Sequence, residues 1–230
     1  PYPNKPIRLI VTGAAVRTLQ TPETPELSGV ALDMGVRVPL VEGWPADRAV
    51  NGQVPQAHHV IELPMRRADG ALQLQPALLP QSADVRRAAL PLTAANILGQ
   101  SFKFLGERYG WGHRYNGRDC SGFVSEVYAS MGLILPRNTG DQSRSTAFER
   151  IELGPDLDQA ARLNLFDKLA VGDLIFVPKG NEEGLVADAP LERRIDHLAR
   201  GWIGGPFTLV EEAIDLVVVH APPVGTRGWN

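Results

Sequence analysis

The stretch that most constrains this chain is Tyr109-Gly-Trp-Gly-His-Arg-Tyr-Asn-Gly-Arg-Asp-Cys-Ser-Gly-Phe123, which holds the single cysteine of 230 residues, Cys120. Turn-forming residues (Gly110, Gly112, Asn116, Gly117) lead into Asp119, where apolar residues at helical spacing begin with Phe123, Val124, Val127 and Met131. Asp119 is a strong helix N-cap, which puts Cys120 and Ser121 in the first helical turn. Backbone N–H groups there lack intrahelical partners, and the positive end of the helix dipole favours an anion. A lone cysteine is ordinarily a small buried hydrophobe. A glycine-rich approach, an acidic cap and a helix start together point instead to a nucleophilic thiolate.

The same residues carry a resemblance. Tyr109-Gly-Trp-Gly followed by Asp119-Cys120-Ser121-Gly122-Phe123 resembles the nucleophile motif of the NlpC/P60 cysteine peptidases, a papain-like family that cleaves cell-wall stem peptides. The likeness extends over roughly residues 92–221. It implies an α+β fold, with helices packed on an antiparallel sheet, and hydrolysis of the bond between D-Glu and a diamino acid.

One cysteine excludes an internal disulfide framework and a cysteine-rich zinc site. The expectation is a reaction that needs no cofactor and no metal. A net charge of −3 gives no polyanion footprint, so nucleic acid is not a favoured partner. No apolar run reaches the ~18 residues of a membrane span.

Residues 1–80 alternate short apolar runs with turn clusters: Ile7–Thr12, Val30–Leu32, Val36–Val41, Val60–Leu63 and Ala71–Gln75 read as strands. Asp69-Gly70 between two of them reads as a hairpin turn. So many short strands suggest a small barrel. Val16-Arg17-Thr18 and the loop after it resemble the start of bacterial SH3-like modules, which often precede NlpC/P60 domains. The expected organisation is therefore an SH3-like β-barrel domain over 1–80, a linker over 81–91 and the catalytic domain over 92–230. An unrelated β-domain or an extension of the catalytic fold is the alternative for the first part.

Thr93 is a candidate N-cap for an amphipathic helix over Ala94–Glu107, and the nucleophile helix is expected from Cys120 to Met131 with Gly132 ending it. Thr139–Ala147 reads as a short polar helix, and 149–169 as a surface helix or wrapping loop. Val171–Val177 reads as a turn into a buried strand, resembling the family's G-D-L-x-F segment, and Leu216–His220 is the most strand-like run.

A thiol peptidase needs an imidazole base and a group that orients it. The resemblance assigns His197 as the base and His220 as the orienting residue. Two features depart from the family pattern. Arg200 interrupts the apolar strand expected after His197, and 22 residues separate the two histidines where a dozen are usual; in a shifted alignment His220 is itself the base. The backbone N–H of Cys120 is the natural oxyanion donor. The resemblance adds the hydroxyl of Tyr109 facing the nucleophile, and gives Asp119 and Ser121 roles in holding the substrate's amine and backbone. Trp111 reads as a cleft wall, and Asp119 is also a helix cap. His58, His59 and His113 read as surface or satisfied polar residues, with His113 standing where the family often has a second glycine. Arg108, Arg114 and Arg118 read as a solvated basic loop, with binding of a peptide α-carboxylate as the functional alternative.

The implied partner is a peptidoglycan stem peptide or muropeptide, met by a monomer in the bacterial envelope, periplasmic or secreted, with cytoplasmic recycling as the alternative setting. A muramoyl-alanine amidase or acyltransferase built on the same thiol, and a non-catalytic wall-binding protein, are the competing readings.

Overall fold

A computed structural model describes residues 8–153, 158–176 and 216–220. By compactness the chain falls into two units, Pro1–Gln142 and Ser143–Asn230.

The first unit opens with seven strands: β1 (Arg8–Val11), β2 (Ala15–Arg17), β3 (Ala31–Asp33), β4 (Arg37–Pro39), β5 (His58–Arg66), β6 (Leu72–Pro80) and β7 (Val85–Arg86). Their pairings are all antiparallel: β4-β1-β7, β2-β3 and the long β5-β6 hairpin. The hairpin turns at Asp69-Gly70, where the Asp69 carboxylate accepts the Ala71 N–H at 3.0 Å. Inward-facing residues from these strands, among them Leu9, Val11, Val38, Ile61 and Leu79, close one apolar core. Alternation along each strand delivers them to a single face.

The segment 81–91 does not run free. Val85 and Arg86 pair with Val11 and Ile10, and Asp84 accepts from the Thr12 hydroxyl at 2.7 Å and from Lys103 Nζ at 2.6 Å. Burial pushes the Asp84 carboxyl up, but these two donors outweigh it and hold it below its ordinary range.

Helix α1 spans Ala94–Phe102, capped by Thr93, whose side chain accepts the Asn96 N–H at 3.2 Å. Helix α2 spans Cys120–Ser130, and a short α3 spans Thr139–Gln142. A second core gathers Val127 and Met131 of the α2 region, Phe104 after α1 and Met34 from the β3–β4 turn. This cluster joins helices to strands, which is why packing does not break between residues 80 and 92. Helix α3 stops short of the expected Ala147. Its last residue, Gln142, is buried, and its Nε2 donates to Ser121 O (3.0 Å), Ser125 Oγ (2.8 Å) and Pro136 O (2.9 Å), which ties the segment to α2.

In the second unit, β8 (Glu149–Leu153), α4 (Gln159–Phe166), β9 (Leu174–Phe176) and β10 (Leu216–His220) form an antiparallel sheet of order β8-β10-β9 with one helix. Residues 149–169, expected as helix or loop, thus contribute a strand as well, because β8 finds its partner more than 60 residues away in β10. The strands after Asp173 and at 216–220 form where expected. No helix among the described residues is long and apolar enough to cross a membrane.

Candidate active site

Asp119 caps α2 as its sequence position requires: its backbone is extended and its Oδ1 accepts the Gly122 N–H at 2.8 Å. Cys120 therefore occupies the first position of the helix, and it is exposed. Its Sγ lies 3.7 Å from the Thr139 hydroxyl, which stands at the start of α3. A thiol buried in hydrocarbon would have fitted a packing role; this one faces outward at a helix N-terminus.

The loop before the cap folds back on itself. Gly110 N–H donates to Arg118 O at 3.0 Å, and Tyr109 bridges to Arg118. A Cβ on Gly110 would lie 2.3 Å from Arg114 O and 2.7 Å from the Gly117 carbonyl carbon, so the two strands of the loop meet only because both residues are glycine. The loop holds Trp111 and Tyr109 outward, 68% and 65% exposed, rather than in the core. Desolvation raises the Tyr109 hydroxyl's pKa, and the charges of Cys120 and Asp119 raise it further.

The second Asp119 oxygen does not stand free. Oδ2 accepts the Gly112 N–H at 3.0 Å and Arg137 Nη2 at 2.7 Å. Arg137 Nη1 also donates to Ser121 Oγ at 2.9 Å, so one guanidinium clamps the residues on both sides of Cys120. Burial pushes the Asp119 carboxyl up, but the bonds from Arg137, Gly122 and Gly112 win and hold it well below the usual carboxylate range. The bond to Asp119 raises Arg137 in turn, against its own desolvation, with the charges of Asp119, Cys120 and Glu126 adding to it. The helix start brings the positive end of its dipole to Cys120, while the charge of the guanidinium is shared with the Asp119 carboxylate it bonds.

Arg118, expected in a solvated loop, is buried. Its guanidinium donates to Glu126 Oε2 (2.5 Å), to Glu107 Oε1, to Asp33 Oδ1 (2.8 Å) and to Ala14 O (3.1 Å), and lies over the Phe104 ring. It is a structural tie, buried and committed to three carboxylates and a backbone carbonyl. Arg114 instead leans over the Trp111 ring at 5.4 Å. His113, read as a surface or satisfied residue, sits between Glu126 and Arg137.

His197 lies outside the described residues. His220 closes β10, opposite Glu149, and its side chain lies outside the described set. Sequence reasoning missed Arg137, Glu126 and Thr139. Leu135-Pro136-Arg137 resembles the family's L-P-R segment and Thr139 opens the expected polar helix, but neither feature assigns a role; Glu126 shares a helical face with Gly122, a signal that could have been followed. No three His, Cys, Asp or Glu side chains gather as a metal site among the described residues.

Residues 106–187 match the NlpC/P60 family model. Among curated relatives, a γ-D-glutamyl-L-lysine dipeptidyl-peptidase of Bacillus cereus is 36% identical over 99 residues, which is 42% of this chain and 25% of that protein. A Listeria seeligeri protein named "Probable endopeptidase p60" is 47% identical over 53 residues, 22% of this chain and 10% of its own length. This chain thus spans a quarter or less of the length of these relatives. Two solved structures share the fold: an NlpC/P60 endopeptidase from Photobacterium damselae subsp. piscicida (TM-score 0.52, 17% identity, 68% of this chain and 30% of that one) and an NlpC/P60 family protein from Bacillus cereus (TM-score 0.50, 23% identity, 77% and 48%). The capped cysteine lies within the matched segment, near its start, and over residues 106–187 this chain carries an NlpC/P60 family domain.

Proposed function

We propose that the chain is a thiol peptidase that hydrolyses peptidoglycan stem peptides at the γ-D-glutamyl–diamino acid bond. The observation that carries this reading is the exposed Cys120 at the first position of α2, with Arg137 clamping Asp119 and Ser121 beside it. The relative from Bacillus cereus, named for a γ-D-glutamyl-L-lysine bond, supports the choice of substrate.

In this reading the Cys120 thiolate attacks the γ-carbonyl carbon, and the oxyanion is held by the backbone N–H of Cys120 and the Tyr109 hydroxyl. Collapse of the tetrahedral intermediate breaks the C–N bond, and the imidazolium of His197 gives its proton to the departing amine. Water, deprotonated by the same imidazole, then hydrolyses the thioester and frees the thiol. His220 orients His197. Both histidines take these roles from the family resemblance alone. Trp111 walls the cleft, and Asp119 and Ser121 hold the acyl side of the peptide. Residues 1–80 form an SH3-like barrel that narrows one end of the cleft, 81–91 connect it and 92–230 are the catalytic domain, acting as a monomer in the envelope.

The test is product analysis with L-Ala-γ-D-Glu-diamino acid peptides and intact muropeptides. A new amino terminus on the diamino acid supports the proposal. Release of the lactoyl sugar from the peptide identifies an amidase instead, and no turnover of either substrate favours a wall-binding protein.

A further inference from the structure

His113 bridges two charged groups that the reaction scheme does not mention together. Its Nε2 lies 3.0 Å from Glu126 Oε1 and its Nδ1 lies 3.1 Å from Arg137 Nη2. A guanidinium carries only donors, so the ring nitrogen facing it must bring a lone pair. Nδ1 is therefore the unprotonated nitrogen and Nε2 carries the hydrogen, which it donates to the Glu126 carboxylate. No other protonation state satisfies both neighbours: an imidazolium, or the opposite tautomer, would set N–H against N–H at Arg137.

The charged groups around the ring come from each packed segment: Glu126 of α2, Arg118 sharing that carboxylate through Oε2, and Arg137 with its partner Asp119. The ring also lies over Gly122, where an added Cβ would stand 2.9 Å from His113 Cε1. The backbone at His113 is left-handed, with φ of 61°, a conformation that a residue with a Cβ disfavours. The chain accepts that conformation and places a ring where it meets two partners.

We infer that His113 is a positioning residue: as the neutral Nε2–H tautomer it accepts from Arg137, and so fixes the guanidinium across Asp119 and Ser121 on either side of Cys120. This rests on the peptidase reading for its effect on turnover, though not for the tautomer itself.

The experiment combines long-range ¹⁵N–¹H correlation spectra of the full chain with the variants His113→Asn, His113→Gln and His113→Ala. Asn places an acceptor where Nδ1 was and tolerates a left-handed backbone; Gln places its amide near Nε2 and cannot reach Arg137 in the same way. The His113 signals, identified by their loss in H113N, should show the proton on Nε2. H113A and H113Q should lower kcat/KM about tenfold and slow alkylation of Cys120 by iodoacetamide, with H113N recovering most of both losses. A proton on Nδ1, or folded H113A and H113Q with parental turnover and alkylation, overturns the inference. A parent protein that turns over no peptide defeats the peptidase reading instead, and leaves the tautomer and the alkylation rates to decide this one.

Discussion

Arg118 Nη2 lies 2.8 Å from Asp33 Oδ1, joining residues 85 positions apart and tying the end of β3 to the residue that precedes the cap of α2. The same guanidinium satisfies Glu107 and Glu126, and its side chain is 5% exposed while its partners are more open. Arg118→Met keeps the volume but leaves three carboxylates without their cation. The expected loss is about 3–5 kcal/mol, the cost of breaking a buried pair from one side. Urea unfolding measures it, and a loss under about 1 kcal/mol, as for a surface ion pair, would contradict the burial of this tie.

Asp119 makes the fold sensitive to acid. Its folded-state pKa is depressed, so the carboxylate's contribution is complete above the ordinary Asp value near 4 and is lost progressively as pH falls below it. Asp119→Asn should flatten the stability profile on that acid side while changing little of its shape above pH 6, and Asp119→Ala should cost about 1 kcal/mol more broadly through the lost cap. Thermal melts from pH 2 to pH 7 compare the three proteins; identical acid slopes would rule out the carboxylate as their source.

Gly110→Ala forces a methyl group into the space between Arg114 O and Gly117. Overpacking of this kind costs about 1–3 kcal/mol. The loop must open, displacing Tyr109 and Trp111. The expected outcome is a modest fall in melting temperature with a much larger fall in turnover. Unchanged kinetics would show that the loop's closure does not serve the site.

What the sequence made legible were the features decided by neighbours along the chain. Asp119 and Thr93 cap helices because a short polar side chain and the next N–H groups suffice for it. The Asp69-Gly70 hairpin follows from its own four residues. Leu216–His220 reads as a strand because its apolar, β-branched run leaves little else. Features decided at long range stayed hidden. Nothing near Arg118 signals that three carboxylates from separate segments converge on it, and a loop arginine is solvated by default. Residues 149–153 look charged and surface-like until β10 supplies the partner strand. Arg137 ends a Leu-Pro-Arg run that resembles the family's, but its role exists only where the segment after α2 doubles back along that helix's first turn.

If the sulfur of Cys120 is the attacking atom, blocking it must block turnover. The most direct measurement is intact-protein and peptide mass spectrometry after stoichiometric treatment with iodoacetamide near neutral pH, read against residual hydrolysis of a γ-D-glutamyl peptide. One label per chain is expected, located on Cys120, with turnover falling in proportion to the fraction labelled and protection by substrate. Protein fully labelled at Cys120 that still hydrolyses the peptide at the parental rate would contradict it.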